Sequence, residues 1–419
     1  MESENRRQNC LIALCWILYT GVYLGRYCYN SNINQIMEFY HVGHSEAGLV
    51  TTCFFFSYGA GQIINGLLCK RYRAKYVLGY ALFFSALLNL AVFFIEDFRF
   101  IKYLWLLNGF AQSFLWSSLM LVLGKNLSRE NLQKAVLVMS TTTAAGTLIT
   151  YGISSLLAVF GNFRFSFLIG FFALASIGIL WLCFFDKLMA KKPEEKNADK
   201  VERESELSVS ARHANKSVWI VVVLLALFAV VNNFIKDGLT TWVPSILKEE
   251  YDLSDGLSII LTLMLPVLAI FGSAFSVLLN KRIKNFISLS GLMFVGAALS
   301  IFGVMSLLDK NYWFVLAFSA VVSCLMSGVN NIITSMAPLY LRERFNSGRM
   351  AGILNGFCYL GSTISSYGLG TVADKGGWSQ VFSLLLVTAC FPIVCAGIYF
   401  LVCRICKKEK KINISEYRR

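Results

Sequence analysis

The chain has 419 residues, a net charge of +14 and a mean hydropathy of +0.61, and only 15% of its residues are charged. Soluble domains carry about 25% charged residues, so this composition excludes an ordinary soluble domain. A net positive charge can indicate a nucleic-acid partner, but the distribution of the charges along the chain, given below, argues against one.

Twelve stretches are long and apolar enough to cross a bilayer, for which about 20 residues suffice. Runs of this length are typical of helices, because the strands of a membrane β-barrel are short and alternate in polarity. The first stretch is too long and too polar for a cleavable signal peptide. We therefore predict an all-α membrane protein with twelve transmembrane helices, numbered here as spans 1 to 12. In chain order they are 10–37, 47–69, 76–95, 103–123, 135–160, 165–185, 217–246, 257–280, 286–307, 312–339, 350–371 and 379–403.

Lysine and arginine are unevenly distributed among the connections. Of the 38, the termini and the even-numbered connections hold 30, the odd-numbered connections hold six, and two lie inside spans. By the positive-inside rule, this bias places both termini in the cytoplasm. We expect a multi-pass protein of the plasma (inner) membrane. Topology thus accounts for the positive charge, and no nucleic-acid partner is expected.

The chain divides into two related halves. Residues 186–216 contain fifteen charged residues and no long apolar run, which predicts a cytoplasmic linker. Similar motifs end span 2, at Leu67–Arg71, and span 8, at Leu278–Arg282, which lie 211 residues apart. Such parallel repeats occur in transporters whose substrate site lies at the bilayer midplane between the halves. The predicted units are two pseudo-symmetric six-helix bundles at 1–185 and 217–404, joined by the linker at 186–216 and followed by a basic tail at 405–419.

The twelve cysteines do not indicate a disulfide framework, because most of them lie within apolar spans. Cys403 and Cys406 form one C-x-x-C pair, which without a second pair is weak support for a metal or redox site. The sequence shows no nucleotide-binding loop, catalytic triad or metal cluster. We therefore expect neither an enzyme nor a cofactor or metal.

The two cations inside the membrane are Arg26, in span 1, and Lys236, in span 7. A charge at the centre of a span costs roughly 2.5–3.5 kcal/mol, so such residues usually face the protein interior or a water-filled cavity. A buried ion pair with Asp237 is one explanation. However, Asp237 directly follows Lys236, and adjacent helical residues point about 100° apart, which predicts that it does not neutralise this lysine. The alternative is that both cations face one cavity and bind an anion.

The neighbours of the two cations favour the anion-binding explanation. Tyr19, Tyr23 and Arg26 share one face of span 1, and Asn233 and Lys236 share one face of span 7. Hydrogen bonding between helices explains any single polar stripe. Together, however, they predict a wet, hydroxyl-rich cavity that suits a small anionic solute. The further candidate residues of this site are Tyr58, Gln62, Trp116, Thr143, Asn330, Asn355 and Tyr359.

Three stretches of the chain resemble motifs of a known family. They are Tyr23-Leu24-Gly25-Arg26; Lys236-Asp237-Gly238 followed by Trp242-Val243-Pro244; and Tyr359-Leu360-Gly361 followed by Asp374 and Gly377-Trp378. The chain resembles, over essentially its whole length, the organophosphate:phosphate antiporter branch of the major facilitator superfamily, which includes the bacterial glycerol-3-phosphate and hexose-6-phosphate transporters. The resemblance implies the major facilitator fold, with Arg26 and Lys236 holding the phosphate of the substrate. It also implies that aromatic residues surround this site, namely Tyr19, Tyr23, Tyr58, Trp116 and Tyr359.

Two departures from the family pattern bear on the substrate. Gln62 stands where glycerol-3-phosphate transporters carry a lysine, and Thr143 stands where they carry a histidine. A site with fewer cations leaves three functions open. They are transport of a phosphorylated metabolite in exchange for phosphate, transport of a carboxylate or other organic acid on the same fold, and a transporter-like metabolite sensor.

The sequence also bears on coupling. Asp237 is the only acid deep in the membrane, and the three histidines, His41, His44 and His213, lie outside the spans. Proton relays usually need titratable groups along the path, so this scarcity favours anion exchange or uniport over proton symport. Asp237 is the candidate for proton coupling if symport operates. We expect a monomer in the lipid bilayer whose partner is a small anion.

Overall fold

The structure of the protein is a computed structural model that describes residues 2–68, 73–189, 216–341 and 347–416. Most of the predicted linker at 186–216 lies outside these residues. The side chains of Cys403, Cys406 and the predicted tail at 405–419 also lie outside the description. The boundaries of the predicted units therefore stay predictions.

Every regular element of the described residues is helical. In chain order the helices are Glu2–Val22, Leu24–Ser31, Ile33–Tyr40, His44–Leu68, Ala74–Phe94, Ile101–Asn126, Arg129–Ser140, Thr142–Val159, Arg164–Leu188, Lys216–Tyr251, Asp255–Thr262, Met264–Asn280, Phe286–Leu307, Tyr312–Asn331, Ala337–Tyr340 and Ser347–Glu416, with a 3-10 turn at Phe98–Phe100 and a π-helical turn at Ile332–Met336.

Eleven helical segments in the described part of the chain are long and apolar enough to cross a membrane. The last of them, Met350–Val402, has 53 residues. At 1.5 Å per residue it would be about 80 Å long if straight, more than twice the thickness of the bilayer core. It therefore contains spans 11 and 12, which join at Gly377, where φ is 70°. Glycine adopts this backbone region at little cost. The predicted twelve spans are confirmed.

Several spans are interrupted within the membrane. Span 1 breaks at Tyr23 and again at Asn32, span 5 breaks at Thr141, and span 8 breaks at Leu263. Span 10 contains the π-helical turn Ile332–Met336. Irregular backbone at membrane depth is tolerated only where protein or a water-filled cavity surrounds it.

The connections lie on two opposite faces of the helix bundle. On one face the guanidinium group of Arg7 donates to the backbone carbonyls of Asn126 and Leu188. On the other face the guanidinium group of Arg164 donates to the carbonyl of Ile95, at 3.1 Å. This is the alternation that membrane-crossing helices require. We call the face with the chain termini the termini face and the face with Ile95 and Arg164 the far face.

Spans 1 and 7 meet along a pseudo-two-fold axis. Residues 210 or 211 positions apart, which the sequence repeat makes equivalent, touch each other there. A pseudo-two-fold axis that runs between two parallel helices brings equivalent positions together, and the contacts agree with the predicted pair of pseudo-symmetric bundles. The pairs are Asn30 with Thr241 at 3.3 Å, Asn34 with Ser245 at 2.6 Å and Glu38 with Lys248 at 2.9 Å.

The two halves pack together toward the far face. One buried apolar cluster contains residues from both halves, and its first-half members include Tyr29 and Trp105, which lie toward that face. A second cluster belongs to the first half alone and includes Leu11 and Trp181, near the termini face. The apolar core at the termini end of the first half is thus separate from the second half.

Hydrogen bonds between the halves follow the same pattern. Between described residues of the two halves, they run from the far face down to the bond that Asn355 Nδ2 donates to Gln62 Oε1, at 2.9 Å. Gln62 lies 18 residues into the span that begins at His44, or roughly 27 Å along the helix. The structure is therefore closed at the far face and through the centre.

Candidate functional site

Arg26 is buried at the centre of the first half. It lies in the short helix Leu24–Ser31, and only 5% of its surface is exposed. Its guanidinium carbon lies 4.5 Å from the ring centre of Tyr58, 5.1 Å from that of Tyr23 and 5.3 Å from that of Phe54. Aromatic rings stabilise a cation at such distances. Yet its Nη2 is buried without a hydrogen-bond partner among the described residues, so one donor edge is available to an acceptor.

A network of buried polar side chains orients Arg26. Its Nε donates to Gln112 Oε1 at 3.0 Å, and Gln112 Nε2 donates to Ser85 Oγ at 3.0 Å. Asn89 and Asn108 donate to the backbone carbonyl of Gly25, which directly precedes Arg26, at 3.2 and 2.9 Å. These four partners are fully buried on spans 3 and 4. They fix both the backbone at Arg26 and the plane of its guanidinium group.

Lys236 lies close to Asp237, and this corrects the sequence analysis. Lys236 Nζ is 3.6 Å from Asp237 Oδ1, so the prediction that this acid does not neutralise the lysine is wrong. The two side chains diverge at Cβ, but the long lysine chain turns back far enough to reach the carboxylate. Ser362 and Asn233 also donate to Asp237 Oδ2 and hold it in place. The Lys236 side chain remains 28% exposed, so it can still reach a ligand.

Four of the predicted residues form a chain of hydrogen bonds that crosses between the halves. The hydroxyls of Tyr19 and Tyr58 are 3.4 Å apart, and Gln62 donates to Tyr58 at 3.1 Å. Gln62 in turn accepts the bond from Asn355 that joins the halves. The ring of Tyr359 lies 4.7 Å from that of Tyr58. The structure thus places these residues on the termini side of Arg26.

The remaining predicted residues differ in how closely they join this cluster. The Thr143 hydroxyl is 2.8 Å from that of Tyr23, and the Trp116 ring lies 4.7 Å from that of Tyr19. Asn330 instead contacts span 11 through the sulfur of Cys358 at 3.6 Å. Among the described residues, no other predicted site residue forms a hydrogen bond with Asn330.

Four residues that support Arg26 or Asp237 were not among the candidate site residues, although Gln112 and Ser362 belong to polar stripes of their spans. Gln112 and Ser362 lie one helical turn from predicted aromatic residues and on the same helix faces, so their spacing was a usable signal. Ser85 and Asn89 gave none, because they lie in an otherwise apolar span.

An open cleft of about 410 Å³ lies between spans 1 and 5 near the termini face. Lys134 donates to Asn9 at 3.1 Å there, and Trp16 donates from its indole to Thr141 at 2.9 Å. Trp16 is one turn before Tyr19 on span 1, so the cleft begins next to the aromatic cluster. Its walls are Asn9, Ile12, Ala13, Trp16, Ile17, Lys134 and Val138.

Residues 15–347 match the family profile of the Major Facilitator Superfamily. The chain belongs to this superfamily. Among its relatives, a probable hexose phosphate transport protein of Chlamydia muridarum is 21% identical over 381 residues, which cover 84% of this chain and 81% of that protein. The membrane sensor protein UhpC of Escherichia coli is 28% identical over 112 residues. That match covers 27% of this chain and only 25% of the sensor. These relatives agree with the predicted resemblance to the organophosphate branch.

Solved structures show the same fold. A bacterial homolog of the human lysosomal transporter Spinster, in an inward-facing and occupied conformation, superimposes with a TM-score of 0.70 at 13% identity, over 94% of this chain and 97% of that one. A D-xylose–proton symporter gives 0.69 at 13% identity, over 92% of this chain and 96% of that one. At such low identity the likeness bears on the fold alone, and the predicted fold class is confirmed.

Proposed function

We propose that this chain is a secondary transporter of a small phosphorylated metabolite and that Arg26 and Lys236 bind its phosphate. The observation that carries the proposal is the buried Nη2 of Arg26, which has no partner among the described residues. Arginine offers a fork that suits phosphate oxygens, and lysine offers a point charge. The relative of similar length is named as a hexose phosphate transport protein.

Because Arg26 and Lys236 belong to different halves, binding of an anion is linked to the movement of one half against the other. At an effective dielectric near 20, each charge contact at ~4 Å is worth roughly 4 kcal/mol before desolvation. An anion that contacts both side chains therefore favours a state in which the halves are close around it. Rocking of one half against the other would then expose the site alternately to the two faces, with phosphate as the exchanged anion.

The orientation follows from the charge bias of the connections. By the positive-inside rule the termini face is cytoplasmic, and we propose the plasma membrane as the location. The closed far face is then the face toward the outside of the cell. We propose that the protein works as a monomer.

A carboxylate transporter is the second candidate. The ion pair between Lys236 and Asp237 leaves Arg26 as the buried cation without an acidic partner among the described residues. A site with one free positive charge suits a monoanion such as a sugar acid. A metabolite sensor, as the name of the UhpC relative describes that protein, would bind the same anions without moving them.

Thermal stabilisation by an anion panel tests the proposal. We expect hexose phosphate, glycerol phosphate and inorganic phosphate to raise the melting temperature, because a ligand that binds only the folded state stabilises it by mass action. A rise with gluconate or succinate but not with phosphates would establish the second candidate instead. Exchange of labelled phosphate in proteoliposomes then separates transport from sensing, because a sensor would bind phosphate without exchanging it.

Gln112 provides a test of how Arg26 is oriented. We expect Gln112→Leu to weaken phosphate binding about tenfold, since a hydrogen bond to a charged group contributes roughly 1.5–3 kcal/mol. Gln112→Glu should weaken it further, although its shape is retained, because the new carboxylate would pair with Arg26. Isothermal titration calorimetry with phosphate ranks the affinities of the wild type and the two variants. Ser118→Ala, a buried change on the same helix, is the control, and equal affinities for the Leu and Glu variants would contradict an electrostatic role.

A further inference from the structure

His44 connects the two halves at the far face. It is the first residue of the second spanning helix, and its side chain lies between two acids of the second half. Its Nε2 is 2.7 Å from Glu249 Oε1, at the end of span 7, and its Nδ1 is 2.8 Å from Asp374 Oδ1, at the end of span 11. One first-half side chain thus bridges two elements of the other half.

The geometry of these contacts requires a proton. A neutral imidazole has one donor and one acceptor nitrogen, whereas ionised carboxylates only accept. Both ring nitrogens of His44 can bond to carboxylates at once only if the ring carries two protons. Its other close neighbours are the rings of Trp242, at 5.5 Å, and Trp378, at 5.2 Å, and neither ring carries a charge.

The two acids are themselves held in place. Asp374 also accepts from the backbone N–H groups of His44, at 2.9 Å, and Ser45, at 2.8 Å, where the helix leaves its first amides unpaired. Glu249 accepts from the indole of Trp378 at 2.9 Å. Asp374 and Trp378 belong to a motif that sequence analysis singled out. No hydrogen bond given for the described residues joins this cluster to Arg26.

Directly below this cluster the halves approach each other through glycines. A Cβ atom added at Gly48 would lie 2.3 Å from the carbonyl oxygen of Ser366, and one added at Gly370 would lie 2.6 Å from the carbonyl oxygen of His44. The His44 contacts can be made only while spans 2 and 11 are this close. Any separation of the halves at the far face must therefore break those contacts.

We propose that His44, Glu249 and Asp374 form a proton-operated latch that holds the far face closed. Opening of the far face moves His44 away from both acids and releases the proton that the two bonds require. Because the closed state binds more protons, lower pH favours it and higher pH favours opening. Histidine is the side chain suited to this role, since it titrates near physiological pH.

A neighbouring ion-pair cluster on the same face provides a matched control. Lys248 Nζ lies 2.9 Å from Glu38 across the halves and 3.0 Å from Asp255 within its own half. The hydrogen bond and charge of Lys248 lower the pKa of Glu38 below its ordinary value, so Glu38 stays ionised at neutral and mildly acidic pH. This cluster also holds the far face closed, but without a group that titrates near neutrality.

The test measures the distance between the halves without any substrate, so its outcome is independent of the proposed transport function. Spin labels are placed at Arg99→Cys in the first half and Lys310→Cys in the second, both exposed at the far face, with the exposed native cysteines replaced. Double electron–electron resonance then measures the distance distribution between the labels, and hence the open and closed populations, between about pH 5.5 and about pH 8. We expect the open-to-closed ratio to rise with pH by up to about tenfold per unit, the limit for one proton.

The variants give distinct outcomes. His44→Gln should be more open at low pH and lose the pH response, and Glu249→Gln should keep a response displaced to lower pH. Glu38→Gln should open the far face while the wild-type response persists. His41→Gln is the histidine control on the same face and should behave as wild type. A pH-independent wild-type ratio, or a wild-type response in His44→Gln, would overturn the latch.

Discussion

Arg26→Lys reduces the affinity for the bound anion by about 100-fold while the variant still folds. Lysine keeps the charge but loses the fork, and it cannot donate to Gln112 and to a ligand in the geometry that Arg26 uses. Loss of two charge-assisted hydrogen bonds, each worth roughly 1.5–3 kcal/mol, accounts for at least this decrease. Titration of the purified protein with inorganic phosphate and the best ligand of the anion panel measures it.

The matched control for this variant is Arg164→Lys. Arg164 donates to a backbone carbonyl at the far face, away from the site, so the same substitution there should leave anion affinity unchanged. Lys236→Arg should retain binding, because arginine supplies the same charge in span 7. Wild-type affinity in Arg26→Lys would mean that Arg26 is a structural charge and that the anion binds elsewhere.

Asp237→Asn increases anion affinity by at least tenfold. The Asp237 carboxylate lies 3.6 Å from the ammonium group of Lys236 and offsets part of its positive charge. An anion that binds Lys236 is therefore repelled by Asp237. Two like charges about 6 Å apart at an effective dielectric near 20 repel by roughly 3 kcal/mol, so removing one of them permits a large gain. Asparagine retains an oxygen that accepts from Ser362, so the helix packing is preserved.

Tighter binding in Asp237→Asn should come with slower exchange in proteoliposomes, because the anion leaves a site that no longer contains a competing carboxylate. Ser362→Ala is the control, since it removes one bond to Asp237 and leaves the charge in place. Unchanged or weaker binding in Asp237→Asn would show that this carboxylate contacts the substrate or carries a coupled proton, rather than acting as an internal counter-ion.

The fold could be predicted from the sequence because each membrane span is recognisable from its own residues. Each span must be long and apolar by itself, and the charge bias of the connections depends only on counting. The same constraint made Arg26 and Lys236 conspicuous, since cations inside spans are rare. The repeat offset of 211 between the ends of spans 2 and 8 predicted that spans 1 and 7 are equivalent, but that residues at this offset touch each other is known only from the structure.

The contacts within the site depend on tertiary structure, and periodicity does not supply it. Helical spacing shows which residues share a face, but not which face of another helix it meets. Thus nothing in span 3 indicated that Asn89 supports the backbone at Arg26. The pairing of Lys236 with Asp237 depends on a side-chain rotamer that a spacing rule ignores. The latch joins His44 to acids 205 and 330 residues away, a distance that no local pattern covers.

The contacts along the pseudo-two-fold axis have a consequence for assembly. Each contact joins a side chain of the first half to a different side chain of the second half, namely Asn30 to Thr241, Asn34 to Ser245 and Glu38 to Lys248. In the last pair the two side chains have opposite charges. The complementarity therefore lies between the two unlike halves, and it favours the union of one first half with one second half.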